Sequence, residues 1–271
     1  MSTTKDLHLV FGLVASPSAR GQDEAFAALS SWMQEHCGVT IERRAWPSYR
    51  ELGNSVREGK SDVAWLPPVV YAWLAEGVTP LGHVSRGDTS TYSAALVSKK
   101  GSRFHALTDL RGSRAGWVDP WSAAGYVVPC IELARAKINP STIFASEKFF
   151  GSHEEALKAL ARDECDVAGT YAQEKADGTF EGGWSAIENL EVQIIASFTS
   201  IPSDVIAARR NLGPKEYERA HSALHRACED EEARGYVRTI FGGDAFRSGI
   251  APGHAALRSA FERATAKGLF D

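Results

Sequence analysis

Short apolar runs alternate with segments of helical periodicity along most of the chain, and this alternation limits the folds open to it. The first apolar run, Leu7 to Val14, predicts a buried strand, and residues 22–36 predict the amphipathic helix that follows. Strands alternating with helices form largely parallel sheets with helices packed on their faces. The sequence therefore predicts an α/β fold.

Capping signals predict where the helices begin and end. Gly38 is suited to the left-handed conformation that closes a helix. Ser48 with Glu51, and Ser152 with Glu155, have the spacing of a capping box, in which the serine and the acid satisfy free amides at a helix start. Further strands are predicted at 39–45, 62–66, 92–99, 114–118, 166–169 and 191–198, and further helices at 69–76, 214–232 and 254–267. No internal repeat is apparent.

Composition narrows the classes of function. Of the 271 residues, 44% are hydrophobic and 24% are charged, which is enough apolar material for a buried core and argues against disorder. Lys and Arg number 30 against 34 Asp and Glu, a formal net charge of −4, and no long run of like charge occurs. A nucleic-acid or membrane-surface partner is therefore not indicated.

The cysteines and the N-terminus carry no strong signal. Cys37, Cys130, Cys165 and Cys228 lie far apart, so they indicate buried thiols and no metal or redox motif. The first residues lack a basic segment leading into a long apolar core, so neither a secretory signal nor a membrane span is predicted. The compartment stays open: cytoplasmic if Met1 is the native start, periplasmic if a leader has been removed.

Residues 118–125 have the chemistry of an anion site. A strand ends at Val118, a turn follows, and small residues then open a helix whose first amides have no intrahelical acceptor. Those amides and the positive end of the helix dipole attract an oxyanion, and Ala123 and Ala124 let it approach the backbone. The hydroxyl of Ser122 adds a donor, or it simply caps the helix. Pro129 should make this helix irregular.

Three stretches together resemble the substrate-binding proteins of bacterial phosphonate, phosphite and phosphate ABC importers. They are Ser61-Asp62-Val63-Ala64-Trp65-Leu66-Pro67-Pro68 with Tyr71, the segment from Val118 to Pro129, and the segment from Phe149 to Leu157, with a weaker match at Ile201-Pro202-Ser203-Asp204. Their order and spacing match the family over about residues 7–210.

The resemblance implies a type II periplasmic-binding-protein-like fold with two α/β lobes joined by two crossover strands. The expected lobes are residues 1–91 with 199–271, and residues 92–198. The resemblance also implies that a small phosphorus oxyanion is captured between the lobes by hinge closure and passed to an ABC permease and its ATPase. No cofactor or metal is implied.

The resemblance also implies a set of ligand-binding residues. Tyr49 and Tyr92 are expected to hold the anion, although half-buried surface tyrosines would look the same. Asp204 and Glu174 would meet the ammonium of an aminoalkylphosphonate. Ser16-Pro17-Ser18 is a candidate for the rim or an ordinary turn. The full predicted set is Tyr49, Tyr92, Trp121, Ser122, Ala123, Ala124, His153, Glu174 and Asp204.

The chain departs from the family at the site itself. Binders of this family usually carry two or three successive hydroxyl residues where this sequence has Ala123 and Ala124, so backbone donors remain and side-chain donors are lost. Trp121 either shapes the pocket rim or covers core. His153, which on its own would be an ordinary surface residue at a helix start, occupies the position of the family's ligand-binding histidine.

Two other classes of function compete with capture for transport or intracellular sensing. Cytosolic enzymes of the alternative menaquinone pathway share this scaffold, and His153 with Glu174 or Asp204 would then serve as acid and base. The sequence contains no nucleophile elbow, zinc-protease motif, Walker loop or dinucleotide fingerprint. A pure interaction module is the third class. The sequence therefore predicts a small-anion binding protein and not an enzyme.

Overall fold

The computed structural model describes residues 6–15, 21–85, 89–175, 177–243 and 245–270, which form two compact units. The candidate segment Ser16-Pro17-Ser18 lies outside the described residues. The first unit comprises the described part of Met1–Ser90 together with Ser203–Pro252. The second comprises Thr91–Pro202 together with the described part of Gly253–Asp271.

This division differs from the predicted lobes at the C-terminal end of the chain. Residues 199–271 are predicted to belong to the first lobe, whereas the second compact unit includes the chain after Pro252. The reason is that the apolar face of the last helix packs within the second unit, where Phe261 contacts Trp121 at a ring-centroid distance of 5.7 Å. The chain thus passes between the units at 90–91, 202–203 and 252–253.

The first unit contains a mixed six-stranded sheet with helices packed against it. Its elements are β1 (Leu7–Val14), α1 (Gln22–Cys37), β2 (Val39–Trp46), α2 (Tyr49–Arg57), β3 (Val63–Leu66), α3 (Pro68–Leu74), β4 (Val78–Ser85), β11 (Val205–Arg209), α7 (Pro214–Glu229), α8 (Glu231–Phe241) and β12 (Ala245–Ser248). The strand order is β12-β4-β11-β3-β1-β2. Phe11, 1% exposed, stands at the centre of the core, with Phe26 at a ring-centroid distance of 5.4 Å.

The second unit is built around a sheet of the order β10-β5-β8-β6-β7, with β9 paired to β8. Its elements are β5 (Thr91–Lys99), β6 (Arg114–Trp117), α4 (Val128–Arg135), α5 (Pro140–Ile143), β7 (Ser146–Phe149), α6 (His153–Ala161), β8 (Val167–Glu174), β9 (Phe180–Gly182), β10 (Val192–Pro202) and α9 (His254–Thr265). Trp117, fully buried in its core, donates its indole N–H to Glu147 Oε2 at 2.7 Å. The largest core side chain therefore keeps its polar atom satisfied.

The predicted caps explain several helix boundaries. Gly38 closes α1 in the left-handed conformation, with a φ of 63°, and its amide donates to Gln34 O. Ser48 Oγ accepts the Glu51 amide at 3.2 Å and begins α2. Within the described helices, none has both the length and the apolar character that a membrane crossing requires.

One predicted helix, residues 214–232, is two helices in the structure. Asp230 interrupts it in an extended conformation, with φ −79° and ψ 137°. Its side chain then accepts the amide of Ala233 at 2.9 Å and so caps α8. The prediction was wrong because it followed helical periodicity across an acidic residue that is itself a helix-start signal.

The two units repeat the same strand–helix path at a constant spacing in sequence, which the sequence analysis did not detect. In the first unit Gly12 of β1 pairs in parallel with Ala64 of β3, and in the second Gly116 of β6 pairs in parallel with Ala168 of β8. The paired residues are themselves identical in the two copies, Gly12 with Gly116 and Ala64 with Ala168, so the sequence carries the repeat at these positions.

Anchoring contacts between backbone amides and aspartates repeat as well. The amide of Val10 donates to Asp62 Oδ2 at 2.9 Å, and the amide of Arg114 donates to Asp166 Oδ2 at 2.8 Å. Each aspartate thereby fixes the loop that precedes its strand to the neighbouring strand. At the same spacing, His153 holds the first helical position in α6 that Tyr49 holds in α2.

Candidate functional site

The strand order of the second unit defines an edge where a ligand site is expected. β6 pairs in parallel with β7 on one side and with β8 on the other, so the chain moves outward from β6 to β7 and then crosses back past β6 to β8. The carboxyl ends of these strands meet at one edge of the sheet. Crevices at such reversals of strand order are the usual ligand sites of open α/β sheets.

The loop that leaves β6, residues 118–122, is fixed by its own polar groups. Asp119, 7% exposed, accepts the Trp121 amide on its carboxylate at 2.7 Å. The Asp119 carbonyl accepts the Ser122 amide at 2.9 Å. Ser122 Oγ in turn accepts the amide of Gly125 at 3.1 Å. The capping role considered for this serine is therefore present in the structure.

The helix opened by Ser122 begins with a π turn over Ala123–Val127 before α4 continues it. The amide of Val127 reaches back five residues to the Ser122 carbonyl at 2.9 Å. Pro129 has no amide to offer the Gly125 carbonyl, and that carbonyl accepts instead from the Val118 amide at 3.3 Å. The irregularity predicted from Pro129 is confirmed, and it ties the helix start back to the end of β6.

Gly125 and Gly169 allow the helix start to lie directly on β8. A Cβ at Gly169 would come 2.8 Å from the Gly125 carbonyl oxygen, closer than side-chain atoms come to backbone. A Cβ at Gly125 would lie 2.3 Å from Val118 Cγ2. The absence of side chains at both positions therefore allows the helix start, with the amides of Ala123 and Ala124, to lie close to β8.

These two amides are the first of the helix, so the helix itself provides no carbonyl to which they can donate. Together with the helix dipole they form a positive, donor-rich point at the carboxyl end of β6. Ser122, Ala123 and Ala124 are each no more than 2% exposed, so an ion held there would be largely removed from water. Hydrogen bonds to an ion are stronger in such surroundings than in bulk water.

His153 is at the same sheet edge, at the first position of α6 after its Ser152 cap. Its Nδ1 lies 3.1 Å from Thr170 Oγ1, and its ring meets that of Tyr171 edge-on at a centroid distance of 5.1 Å. Although a part of the residue is accessible, dense packing around the ring disfavours the charged imidazolium and lowers the pKa of His153 to about 4. The imidazole is therefore neutral at neutral pH.

Thr170 is a site residue that the sequence analysis missed. It lies fully buried in β8, next to Gly169, and so connects the histidine with the helix start. If its hydroxyl donates to Nδ1, the other ring nitrogen, Nε2, carries the proton and becomes a donor for a ligand. The available signal was a hydroxyl residue just beyond the small residues of the predicted strand 166–169.

Of the predicted residues, Trp121, Ser122, Ala123 and Ala124 are consecutive in the chain after β6. His153 lies two residues after Gly151, whose amide donates to the Val118 carbonyl at 2.8 Å. Glu174 is exposed at the far end of β8, about 13 Å along the strand from Thr170. Tyr92 is half-buried at the start of β5, opposite Ile201 of β10. Tyr49 and Asp204 belong to the first unit, where both are half-buried, and their ligand-binding roles stay predictions.

Comparisons with known proteins place this arrangement in a family. The "Phosphate-import protein PhnD" of Mycolicibacterium smegmatis is 25% identical over 219 residues, which are 75% of this chain and 67% of that protein. A binding protein component of an ABC phosphonate transporter from Pseudomonas aeruginosa has the same fold, with a TM-score of 0.81, 19% identity and coverage of 98% of this chain and 89% of that one. So has PhnD1 from Prochlorococcus marinus in complex with methylphosphonate, with a TM-score of 0.77, 13% identity and coverage of 96% and 99%.

The family assignment rests on the match over most of the chain. Residues 11–249 match the family described as "ABC transporter, phosphonate, periplasmic substrate-binding protein". The predicted fold class and family are thereby confirmed, and nothing found supports the enzyme alternative. The chain belongs to the phosphonate substrate-binding proteins of ABC transporters, components that bind a small anionic ligand and work with a permease and an ATPase.

Proposed function

We propose that the chain binds a phosphonate or phosphate-like oxyanion at the carboxyl ends of β6 and β8, through the amides of Ala123 and Ala124, the Ser122 hydroxyl and the His153 imidazole. The observation that carries this proposal is the buried helix start at the reversal of strand order, with a neutral histidine on the adjacent helix start. Every proposed contact can donate a hydrogen bond, as a tetrahedral oxyanion requires.

The two alanines define the chemistry of the proposed site. Ala123 and Ala124 contribute backbone donors and no hydroxyls, so the ion is held by fewer groups than in relatives with hydroxyl residues there. Each missing hydrogen bond to the charged ion weakens binding by about 1.5–3 kcal/mol. A moderate affinity for the ion follows, with recognition resting mainly on backbone geometry.

The geometry favours capture over turnover. His153 Nδ1 is engaged by Thr170, and the backbone of Glu174, one of the two acid–base partners considered for an enzyme, lies about 13 Å further along β8 than Thr170. A general acid or base must be within hydrogen-bond reach of its proton. The chain is therefore proposed to have no enzymatic activity of its own, a point that steady-state assays with the bound ligand would test.

The first test is direct binding by calorimetry, with phosphate, phosphite, methylphosphonate, 2-aminoethylphosphonate and sulfate as probes. Saturation by at least one of the phosphorus anions is expected. Heating scans check the result independently, since a ligand at a hundredfold excess over its Kd stabilises the native state by about 2.7 kcal/mol. If none of the probes binds, the proposed function is wrong.

Substitutions then locate the ion. Ser122→Ala and His153→Gln should each raise the Kd of the bound anion by roughly tenfold to a hundredfold, because a hydrogen bond to a charged group contributes about 1.5–3 kcal/mol. Asp230→Ala is the matched control for Ser122→Ala, since it removes an N-cap of the same kind from α8 in the first unit. If Ser122→Ala and Asp230→Ala lower stability alike and neither changes the Kd, Ser122 is only a cap.

A further inference from the structure

The C-terminal segment, residues 253–270, lies beyond residue 249, where the family match ends. It nevertheless packs within the second unit, with α9 against α4 and β10. α4 is the direct continuation of the π turn that opens at Ala123. The segment therefore supports the same helix whose first amides form the proposed anion site.

Two aromatic contacts join this segment to the two ends of residues 121–126, which are called the anion loop below. Trp121, just before Ser122, meets the ring of Phe261 at a centroid distance of 5.7 Å. Tyr126, just after Gly125, meets the ring of Phe270 at 5.8 Å. Phe261 and Phe270 in turn contact each other at 5.6 Å, so both ends of the loop rest on one aromatic pair.

We propose that Phe261 and Phe270 are positioning residues for anion binding: they hold residues 121–126 in the conformation that presents the Ala123 and Ala124 amides. The expected change in anion affinity rests on the proposed function, whereas the expected effect on the conformation of residues 121–126 does not. Neither phenylalanine has a polar side-chain atom, so neither contributes a hydrogen bond to the ion.

The physical basis is pre-organisation. A loop that must become ordered when its ligand binds loses part of the interaction energy to that ordering, whereas a loop already held in place does not. The loop's own hydrogen bonds, from Gly125 and Val127 to Ser122, fix its inner turn. The aromatic rings fix its outer ends, where a pair of rings interacts beyond simple area burial.

The test combines amide hydrogen exchange of the ligand-free protein with calorimetric titration of phosphate and methylphosphonate. The variants are Phe261→Leu, Phe270→Leu and the conservative Phe261→Tyr. Exchange at Gly125 and Val127 should speed up by roughly three- to tenfold in the leucine variants and stay near the parent value in Phe261→Tyr. The Kd of the bound anion should rise by a similar factor.

Phe246→Leu is the matched control, because Phe246 is a buried phenylalanine of the first unit that contacts His221 and His225. The Glu155 amide, bonded to Ser152 Oγ in α6, reports whether an exchange effect is local. The inference is overturned if exchange at Gly125 and Val127 is unchanged, or if Glu155 speeds up equally. If the parent protein binds none of the anions while the loop amides respond selectively, the proposed function fails and the positioning role stands.

Discussion

Replacing Gly125 with alanine should lower the free energy of unfolding by about 1–3 kcal/mol, the usual cost of forcing an extra carbon into a packed interior. A Cβ at this position would lie 2.3 Å from Val118 Cγ2 and 2.8 Å from Ser122 Oγ. Relief requires the helix start to move away from β6, which also displaces the amides of Ala123 and Ala124. Anion binding should therefore weaken together with stability, measured by calorimetry and by denaturant unfolding.

A glycine-to-alanine substitution elsewhere in the chain should instead raise the free energy of unfolding. Gly235 lies inside α8, and a Cβ added there meets nothing within 4 Å. Gly235→Ala should stabilise the protein by about 0.5–1 kcal/mol, because alanine loses less conformational freedom in a helix. The crowding argument is contradicted if Gly125→Ala is as stable as the parent or binds the anion equally well.

Acidification should destabilise the protein through His153. In the native state its pKa is lowered to about 4 by burial, whereas in the unfolded chain an imidazole titrates near its ordinary value of about 6.5. As the pH falls through that interval, the unfolded state binds a proton that the native state does not, so the free energy of unfolding decreases. Between pH 7 and pH 4.5 the decrease should be about 2 kcal/mol.

Other groups titrate in the same interval, so the difference between the parent and His153→Gln isolates this contribution. Denaturant unfolding at several pH values should show a shallower loss of stability in the variant. His105→Gln, which removes an exposed imidazole from the same unit, is the matched control. Parallel curves for the parent and His153→Gln would show that the ring is not buried as described.

The sequence analysis succeeded where a local signal determines structure. The helix starts at Ser48 and Ser152 and the closure at Gly38 follow from the chemistry of single residues and their spacing. The irregular start of the helix after Ser122 followed from one proline. The helix start after Ser122 was predictable for the same reason, since a cap is a local property, and its role as an anion site stays a prediction.

The remaining features depend on contacts that sequence order does not reveal. Thr170 joins the site only because β8 pairs beside β6 and extends past it. The C-terminal helix joins the second unit because its apolar face fits Trp121 and α4, and its periodicity alone fits either unit. The repeat escaped detection because its identical residues, such as Asp62-Val63-Ala64 and Asp166-Val167-Ala168, stand among longer stretches that differ.

The π turn at Ala123–Val127 places one residue more between the anion loop and α4 than an α-helical turn would. Because a π turn and an α turn each complete about one revolution, deleting one of these five residues would let the helix close into regular α geometry with little rotation of α4. The deletion would instead change the turn itself, from which the amides of Ala123 and Ala124 are presented. The position of these donors is thus encoded by a residue count, which no substitution of side chains can restore.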